Sequence, residues 1–295
     1  MATYSVRVGE QTYTADSRQP LIDAIPSGTL VKGCLKGVCR VCRCRLVSGR
    51  VLEDGVEVAM QSEFLPCISR AETDIDIVPA ISSFHAARLK SKTYLSEQVM
   101  EVVLEVKRVF YNAKSVVTLK HPDTSAVRNY SVVILGKKAY DSITFHVKLR
   151  PGGLFSSLFA TLSVGDRLEY SIVSPSLPDY GDVMSRLNIV SGGSGMGAAL
   201  SRAQELVLKH NIGEVEVYAV NRTSLSVYHS GCIERFRSSV ECKVNVVNIP
   251  FPDWTCADFD IGEHLAVDAL TVGVGSDLVI GKLKNLPLCE LESFG

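Results

Sequence analysis

The chain has 295 residues, too many for one small module and suited to two or three domains of roughly 100–150 residues each. An apolar fraction of 46% and a charged fraction of 21% exclude wholesale disorder, and a net charge of −1 excludes a strongly basic nucleic-acid binder. No apolar run reaches the ~18 residues of a membrane helix and the start carries no basic-then-apolar leader, so neither nucleic acid nor membrane is an expected partner and the cytoplasm is the expected compartment.

Residues 1–80 read as a first unit. Residues 4–8 alternate as a strand, 11–14 follow a Gly9-Glu10 turn, 20–25 suggest a short helix, 43–47 another strand, and 74–78 a last strand before Pro79. Of nine cysteines, Cys34, Cys39, Cys42 and Cys67 follow C-x4-C-x2-C with 24 residues between the third and the fourth, the plant-type spacing for a [2Fe–2S] cluster. Gly33 and Gly37 supply the backbone freedom a tight ligand loop needs. Four thiolates also suit tetrahedral zinc, but zinc sites usually pair cysteines at matched short spacings and no second pair is present. Cys44, Cys232, Cys242, Cys256 and Cys289 read as small buried apolar residues. The basic residues Lys32, Lys36, Arg40, Arg43, Arg45 and Arg50 have two readings. They form a rim that steers an acidic partner, or a solvated face balanced by Glu53, Asp54, Glu57, Asp74 and Asp76.

The segment Cys34-Leu-Lys-Gly-Val-Cys39-Arg-Val-Cys42, with Phe64-Leu-Pro-Cys67 beyond it, resembles the ferredoxin domain of bacterial dioxygenase reductases. The chain departs from that family at Arg40, where glycine is usual. Residues 81–96 are polar and serine-rich and read as a linker.

Residues 97–183 are β-rich, with strands expected over 99–110, 115–119, 130–135, 144–149 and 167–173 and a short helix over 154–162, the pattern of an antiparallel barrel. Arg128-Asn-Tyr130-Ser131 resembles the R-x-Y-S motif of the ferredoxin–NADP reductase superfamily. The run from His146 through Lys148, Arg150, Gly152, Gly153 and Ser156 resembles that superfamily's next motif, where Gly and Ser amides at a helix start meet the flavin pyrophosphate. The resemblance implies that Arg128 pairs with the pyrophosphate, that Tyr130 contacts the flavin and that Ser131 hydrogen-bonds its ring. The family's Phe-x-Pro-Gly-Gln pattern does not precede Arg128.

Residues 184–295 alternate strand and helix, with strands over 187–190, 215–220, 243–247 and 269–274 and a helix over 198–210, arguing for a parallel sheet with covering helices. Gly193, Ser194 and Gly195 lie in a glycine-rich turn between a strand and a helix, a context that holds a diphosphate. That turn resembles the superfamily's G-G-T-G-x-A-P. Asn221 and Arg222 fall where the resemblance puts the adenosine end of a nicotinamide nucleotide, without the acids often found just beyond. Val272 stands in for the cysteine of an expected Cys-Gly-Pro, and Phe294 belongs to an acidic-aromatic tail whose aromatic covers the flavin in relatives.

Taken whole, the chain resembles the reductase component of bacterial multicomponent, Rieske-type oxygenases. The resemblance implies a multidomain α+β and α/β fold, in which a β-grasp ferredoxin domain (1–80) is followed after the linker by an antiparallel β-barrel flavin domain (97–183) and a parallel-sheet nucleotide-binding domain (184–295). It further implies a [2Fe–2S] cluster held by Cys34, Cys39, Cys42 and Cys67, FAD, NADH or NADPH, catalytic roles for Tyr130, Ser131 and Phe294, and an oxygenase component or its ferredoxin as electron acceptor. Two other readings are a reductase for a different acceptor, such as a diiron monooxygenase or a sugar-deoxygenation enzyme, and a non-enzymatic electron carrier.

Overall fold

The computed structural model describes residues 2–26, 29–30, 32, 35–37, 40–80, 84–123, 127–175, 180, 185–222, 226–266, 268–286 and 289–293. Cys34, Cys39 and Phe294 therefore lie outside the described residues. The chain forms two compact units: residues 1–85, 118–129 and 169–173 in the first, and residues 86–117, 130–168 and 174–295 in the second.

The first unit opens with β1 (Thr3–Val8), β2 (Gln11–Asp16) and α1 (Leu21–Ala24). There follow β3 (Cys44–Ser48), β4 (Val51–Glu53), β5 (Val56–Glu57), β6 (Glu63–Phe64), β7 (Ser69–Ala71) and β8 (Ile75–Pro79). Period-two alternation puts Val6 and Val8 inward and Arg7 outward, where it pairs with Asp76. The main sheet runs β2-β1-β8-β3-β6, with β1 and β8 parallel and β1 and β2 antiparallel, and a small β5-β4-β7 sheet accompanies it. Leu21, Ile22 and Ile25 of the short helical segment complete a core with Leu46, Phe64 and Ile77.

Next along the chain come β9 (His85–Ser96), β10 (Val99–Glu105), β11 (Val116–Lys120), β12 (Val127–Ser131), β13 (Ser142–Lys148), α2 (Leu154–Thr161) and β14 (Arg167–Val173). The sheet order is β12-β11-β14-β9-β10-β13, and β10 pairs antiparallel with both β9 and β13. Residues 85–96 are thus a strand and not the expected linker. Ala87 and Leu89 alternate inward while Arg88 and Lys90 face water, so the polar composition is that of one strand face. The strand expected over 130–135 is shifted to β12, with Val132 adding only an isolated bridge to Phe145.

The C-terminal part contains β15 (Arg186–Gly192), α3 (Met196–His210), β16 (Glu214–Asn221), α4 (Ser226–Arg237), β17 (Lys243–Pro250), α5 (Phe251–Thr255), β18 (Leu270–Gly275), α6 (Asp277–Ile280) and β19 (Cys289–Ser293). Its sheet runs β17-β16-β15-β18-β19 with every neighbouring pair parallel. Such strands need covering helices, and α3 and α4 bury Leu200, Ala203, Leu206, Tyr228 and Phe236 against one face. Among the described residues no helix is long and apolar enough to cross a membrane.

Arg40 adopts left-handed backbone (φ 55°) at the position where the family resemblance expects glycine. That conformation costs an L-residue ~1–2 kcal/mol, while glycine takes it freely and loses ~0.5–1 kcal/mol more backbone entropy on folding. Arg40→Gly is therefore expected to stabilise the native protein by about 0.5–1 kcal/mol in urea unfolding. A lowered unfolding midpoint contradicts this.

Candidate functional site

In the first unit, β3 and β6 pair Cys44 with Phe64, which draws the loop carrying Cys42 alongside the loop carrying Cys67. The Sγ atoms of Cys42 and Cys67 lie 3.4 Å apart and both residues are buried. The Cys67 loop is braced by Glu53, whose carboxylate accepts from the Leu65 amide at 3.1 Å, and by Ser69, whose hydroxyl donates to the Leu65 carbonyl at 2.8 Å. Left-handed Gly37 packs so close to Ile68 that a Cβ there would come within 2.9 Å of its Cδ1. Two converging, buried thiols on braced loops fit the donor chemistry of an iron–sulfur cluster. Cys44 is buried apart from this pair, its thiol donating to the Cys42 carbonyl, and burial pushes it up to about 12, so it stays a protonated thiol. Within the basic rim, Arg43 pairs with Glu63 at 3.0 Å and Arg50 with Glu57 at 3.2 Å. Lys36, Arg40 and Arg45 are exposed, and Lys32 is half-buried.

Arg128, on β12, is exposed, and its guanidinium donates to the Val127 carbonyl at 2.8 Å. In the second unit, the Tyr130 ring stacks on Phe145 at 4.9 Å and meets the edges of Phe155 and Phe159. The Ser131 hydroxyl donates to Glu292 on β19. Glu290, two residues earlier and so on the same strand face, holds that strand in place. Its carboxylate accepts two bonds from the buried Arg202, at 2.9 and 2.8 Å, with Lys114 at 3.1 Å and the Tyr180 hydroxyl beside them. Gly152 (φ 69°) has nothing within 4 Å of the place a Cβ would occupy, and Ser156 closes the turn by accepting the Arg150 amide at 2.9 Å. Gly153 precedes α2 as its N-cap. A half-buried aromatic face, an open glycine backbone and a helix start suit a flavin diphosphate.

His146 differs from its expected role at the cofactor. It is buried, and both ring nitrogens are engaged by protein: Nε2 by Glu101 at 3.2 Å and Nδ1 by the Tyr228 hydroxyl at 2.9 Å. Burial pulls the imidazole below its usual range, so it is neutral near pH 7. Nε2–H then donates to Glu101, leaving Nδ1 to accept. Glu101 is held down to about 2 by its bond to His146 and by Arg235, 2.6 Å away. At the other end, the Tyr228 oxygen accepts the Gly197 amide at 3.1 Å and lies 3.0 Å from the Ser194 carbonyl. This chain of contacts ties the glycine-rich turn to β10 and β13.

The turn lies between β15 and α3, and Gly193 (φ 66°) has open space where a Cβ would project. Gly192 has none: a Cβ would lie 2.9 Å from Val279. Beside the turn is a cleft of about 200 Å³ lined by Gly192–Gly195, Lys148, Arg150, Arg222, Phe251 and Ser276, with no acid among the described residues of its wall. Lys148 and Arg150, expected at the flavin diphosphate, thus line the cleft of the glycine-rich turn. Lys148 is pulled below its usual value by burial and by Arg150 and Arg222. Asn221, expected to touch nucleotide, instead uses its side chain on His229 and on Asn248, and His229 Nε2 donates to the Gly193 carbonyl at 2.9 Å. Val272 is core; β18 reaches the cleft at its end, where Ser276 lines the wall. Together the open turn and its cationic wall fit a dinucleotide diphosphate.

Sequence reasoning missed Glu101, Tyr228, Arg235 and Phe251 as working parts, and marked Glu290 and Glu292 only as the acids of the acidic-aromatic tail. The available signal was a charge, Glu101, inside the apolar run of β10; the others carry no local spacing. Tyr228→Phe removes only the hydroxyl and leaves the Gly197 amide and His146 Nδ1 unpaired, a loss of ~1–3 kcal/mol per buried group. It is expected to weaken binding of oxidised nicotinamide dinucleotide at least fivefold in calorimetry, with flavin and iron content unchanged. Unchanged affinity contradicts the role assigned to Tyr228.

Comparison with known proteins agrees with this geometry. Residues 6–72 match the 2Fe-2S iron-sulfur cluster binding domain family, and residues 86–173 match the oxidoreductase FAD-binding domain family. The chain is 24% identical over 256 residues to the reductase subunit of an aromatic O-demethylase from Amycolatopsis sp., covering 78% of this chain and 75% of that protein. It is 27% identical over 224 residues to reductase component 1 of a terephthalate 1,2-dioxygenase from Comamonas sp., covering 70% and 66%. The solved ferredoxin reductase of carbazole 1,9a-dioxygenase superposes over 100% of this chain and 99% of its own with a TM-score of 0.59 at 19% identity, a likeness of fold. An iron–sulfur domain and an FAD-binding domain follow one another in this chain, and the chain belongs to the reductase-component family of bacterial multicomponent oxygenases, iron–sulfur flavoproteins of the ferredoxin–NADP reductase superfamily.

Proposed function

We propose that the chain is an NAD(P)H-dependent reductase that passes electrons through FAD and a [2Fe–2S] cluster to a separate oxygenase component or its ferredoxin, the oxygenase being of the Rieske ring-hydroxylating type. The observation that carries this reading is the shared cleft: Lys148 and Arg150 of the flavin motif and the glycine-rich turn line one wall. A nicotinamide nucleotide held there has its diphosphate among cations while its other end stays near the flavin motif. When bound, the flavin and cluster supply the conversion from a two-electron hydride donor to a one-electron acceptor.

The protein's own residues have separable tasks in this scheme. Cys34 and Cys39 join Cys42 and Cys67 as cluster ligands. Arg128, Gly152, Gly153 and Ser156 hold the flavin diphosphate, and Tyr130 packs against the ring, with Phe294 as its cover. Ser131 and Glu292 form a hydroxyl–carboxylate pair that holds a proton beside the flavin motif. Gly193, Ser194 and Gly195 cradle the nucleotide diphosphate. A β-grasp ferredoxin domain ending near residue 80, an antiparallel flavin barrel and a nucleotide-binding domain from about residue 184 provide the three compartments this division of labour needs. The basic rim Lys32, Lys36, Arg40, Arg43 and Arg45 is the surface that meets an acidic partner, with Lys36, Arg40 and Arg45 exposed on it.

Anaerobic titration with NADH and with NADPH, followed by visible absorbance, tests the scheme. At least one nucleotide is expected to bleach the flavin and then the cluster, and Cys39→Ser is expected to remove the cluster bands while sparing the flavin. If both nucleotides leave both chromophores unbleached, the scheme fails.

A further inference from the structure

The cleft carries more positive charge than a diphosphate and its glycine-rich turn require. β15, the turn, α3 and β16 form a parallel βαβ unit, with Ile189 opposite Val217 and Gly192 opposite Val220. In such a unit the diphosphate meets the turn and the adenosine ribose reaches the end of the second strand. An acid there accepts the ribose 2′-hydroxyl of NAD, whereas an arginine there accommodates the 2′-phosphate of NADP. Here β16 ends at Asn221 and is followed by Arg222. The Asn221 side chain is directed to His229 and Asn248. The next acid in the sequence is Glu234, on α4 and paired with Arg237 at 2.9 Å.

Arg222 is well placed for the arginine role. Its guanidinium carbon lies 4.2 Å from the centroid of the Phe251 ring, which fixes it against the cleft wall as an aromatic shelf fixes a planar cation. Lys148 and Arg150 line the same cleft, and among the described residues of its wall there is no acid. Their mutual repulsion is felt at Lys148, whose ammonium burial and the two arginines pull below its usual value. An ordinary NAD diphosphate brings two negative charges to this cleft; a 2′-phosphate supplies further charge on the side of Arg222.

We infer that Arg222, backed by Phe251 and accompanied by Lys148 and Arg150, makes this site selective for a dinucleotide bearing a 2′-phosphate, so that NADPH and not NADH is the preferred electron donor. The inference rests on the reading of the glycine-rich cleft as the nicotinamide-nucleotide site.

Calorimetry on the cofactor-loaded protein with 2′,5′-ADP and with 5′-AMP isolates the extra phosphate. The native protein is expected to bind 2′,5′-ADP at least tenfold more tightly, as charge-assisted bonds to one phosphate imply. Arg222→Gln is expected to bring the two affinities within about threefold of each other, and Arg222→Lys to retain part of the preference. Arg222 is exposed, so these changes leave the core untouched. Equal native affinities, or an Arg222→Gln change that weakens both ligands alike, overturn the inference. The parent reading fails separately, when neither NADH nor NADPH bleaches the flavin; bleaching by NADH with equal affinities removes only the 2′-phosphate preference.

Discussion

One hydroxyl group sets the geometry on which the nucleotide cleft depends. Tyr228 reaches from α4 to hold the Gly197 amide and lie against the Ser194 carbonyl, while its oxygen contacts His146 on β13. The contact works only because position 197 is glycine: a Cβ there would stand 2.4 Å from His146 Nδ1. The helix start can therefore approach β13 closely, and the same approach brings the turn level with Lys148, two residues beyond His146 on that strand. A buried neutral imidazole is a suitable joint, since it donates to Glu101 on one side and accepts from Tyr228 on the other without leaving a net charge in the core.

Placement of the acids follows the same logic. Glu101 is matched by Arg235, and Glu290 by Arg202 and Lys114, so these two half-buried carboxylates are engaged by cations that do not line the cleft. Among the described residues, the charges along the cleft wall are all positive. Breaking such a buried pair by removing one partner is costly, which makes these pairs durable supports even where their net contribution to stability is small. The clamp on Glu290 also has a functional side: alternation along β19 delivers Glu292 to Ser131 on the same face.

The parts of this arrangement that rest on local chemistry were legible in the sequence. Cysteine spacing marks Cys42 and Cys67, and the structure draws their thiols together. Glycines between a strand and a helix mark the turn, because only that backbone leaves space at Gly193. Residues 85–96 were misread because a strand with one wet face has the composition of a linker until its pairing with β10 is known. His146 was assigned to cofactor because its motif neighbours point there, whereas its fate depends on Tyr228, 82 residues later. Ser131 and Glu292 are 161 residues apart, and no periodicity records such a meeting. Lys148 and Arg150 were assigned to the flavin motif, whereas the cleft they line, beside the glycine-rich turn, is decided by the packing of α3 against β13.

The central claim is that Tyr228 and Glu101 act on the glycine-rich turn as one connected unit through His146. A double-mutant cycle measures this directly, with Tyr228→Phe, Glu101→Gln and the double variant compared for affinity toward the oxidised nicotinamide dinucleotide by calorimetry. A shared path predicts that the double variant loses little more than the worse single one, a coupling of about 1 kcal/mol or more. Losses that add within about 0.3 kcal/mol would show two independent supports and contradict the account.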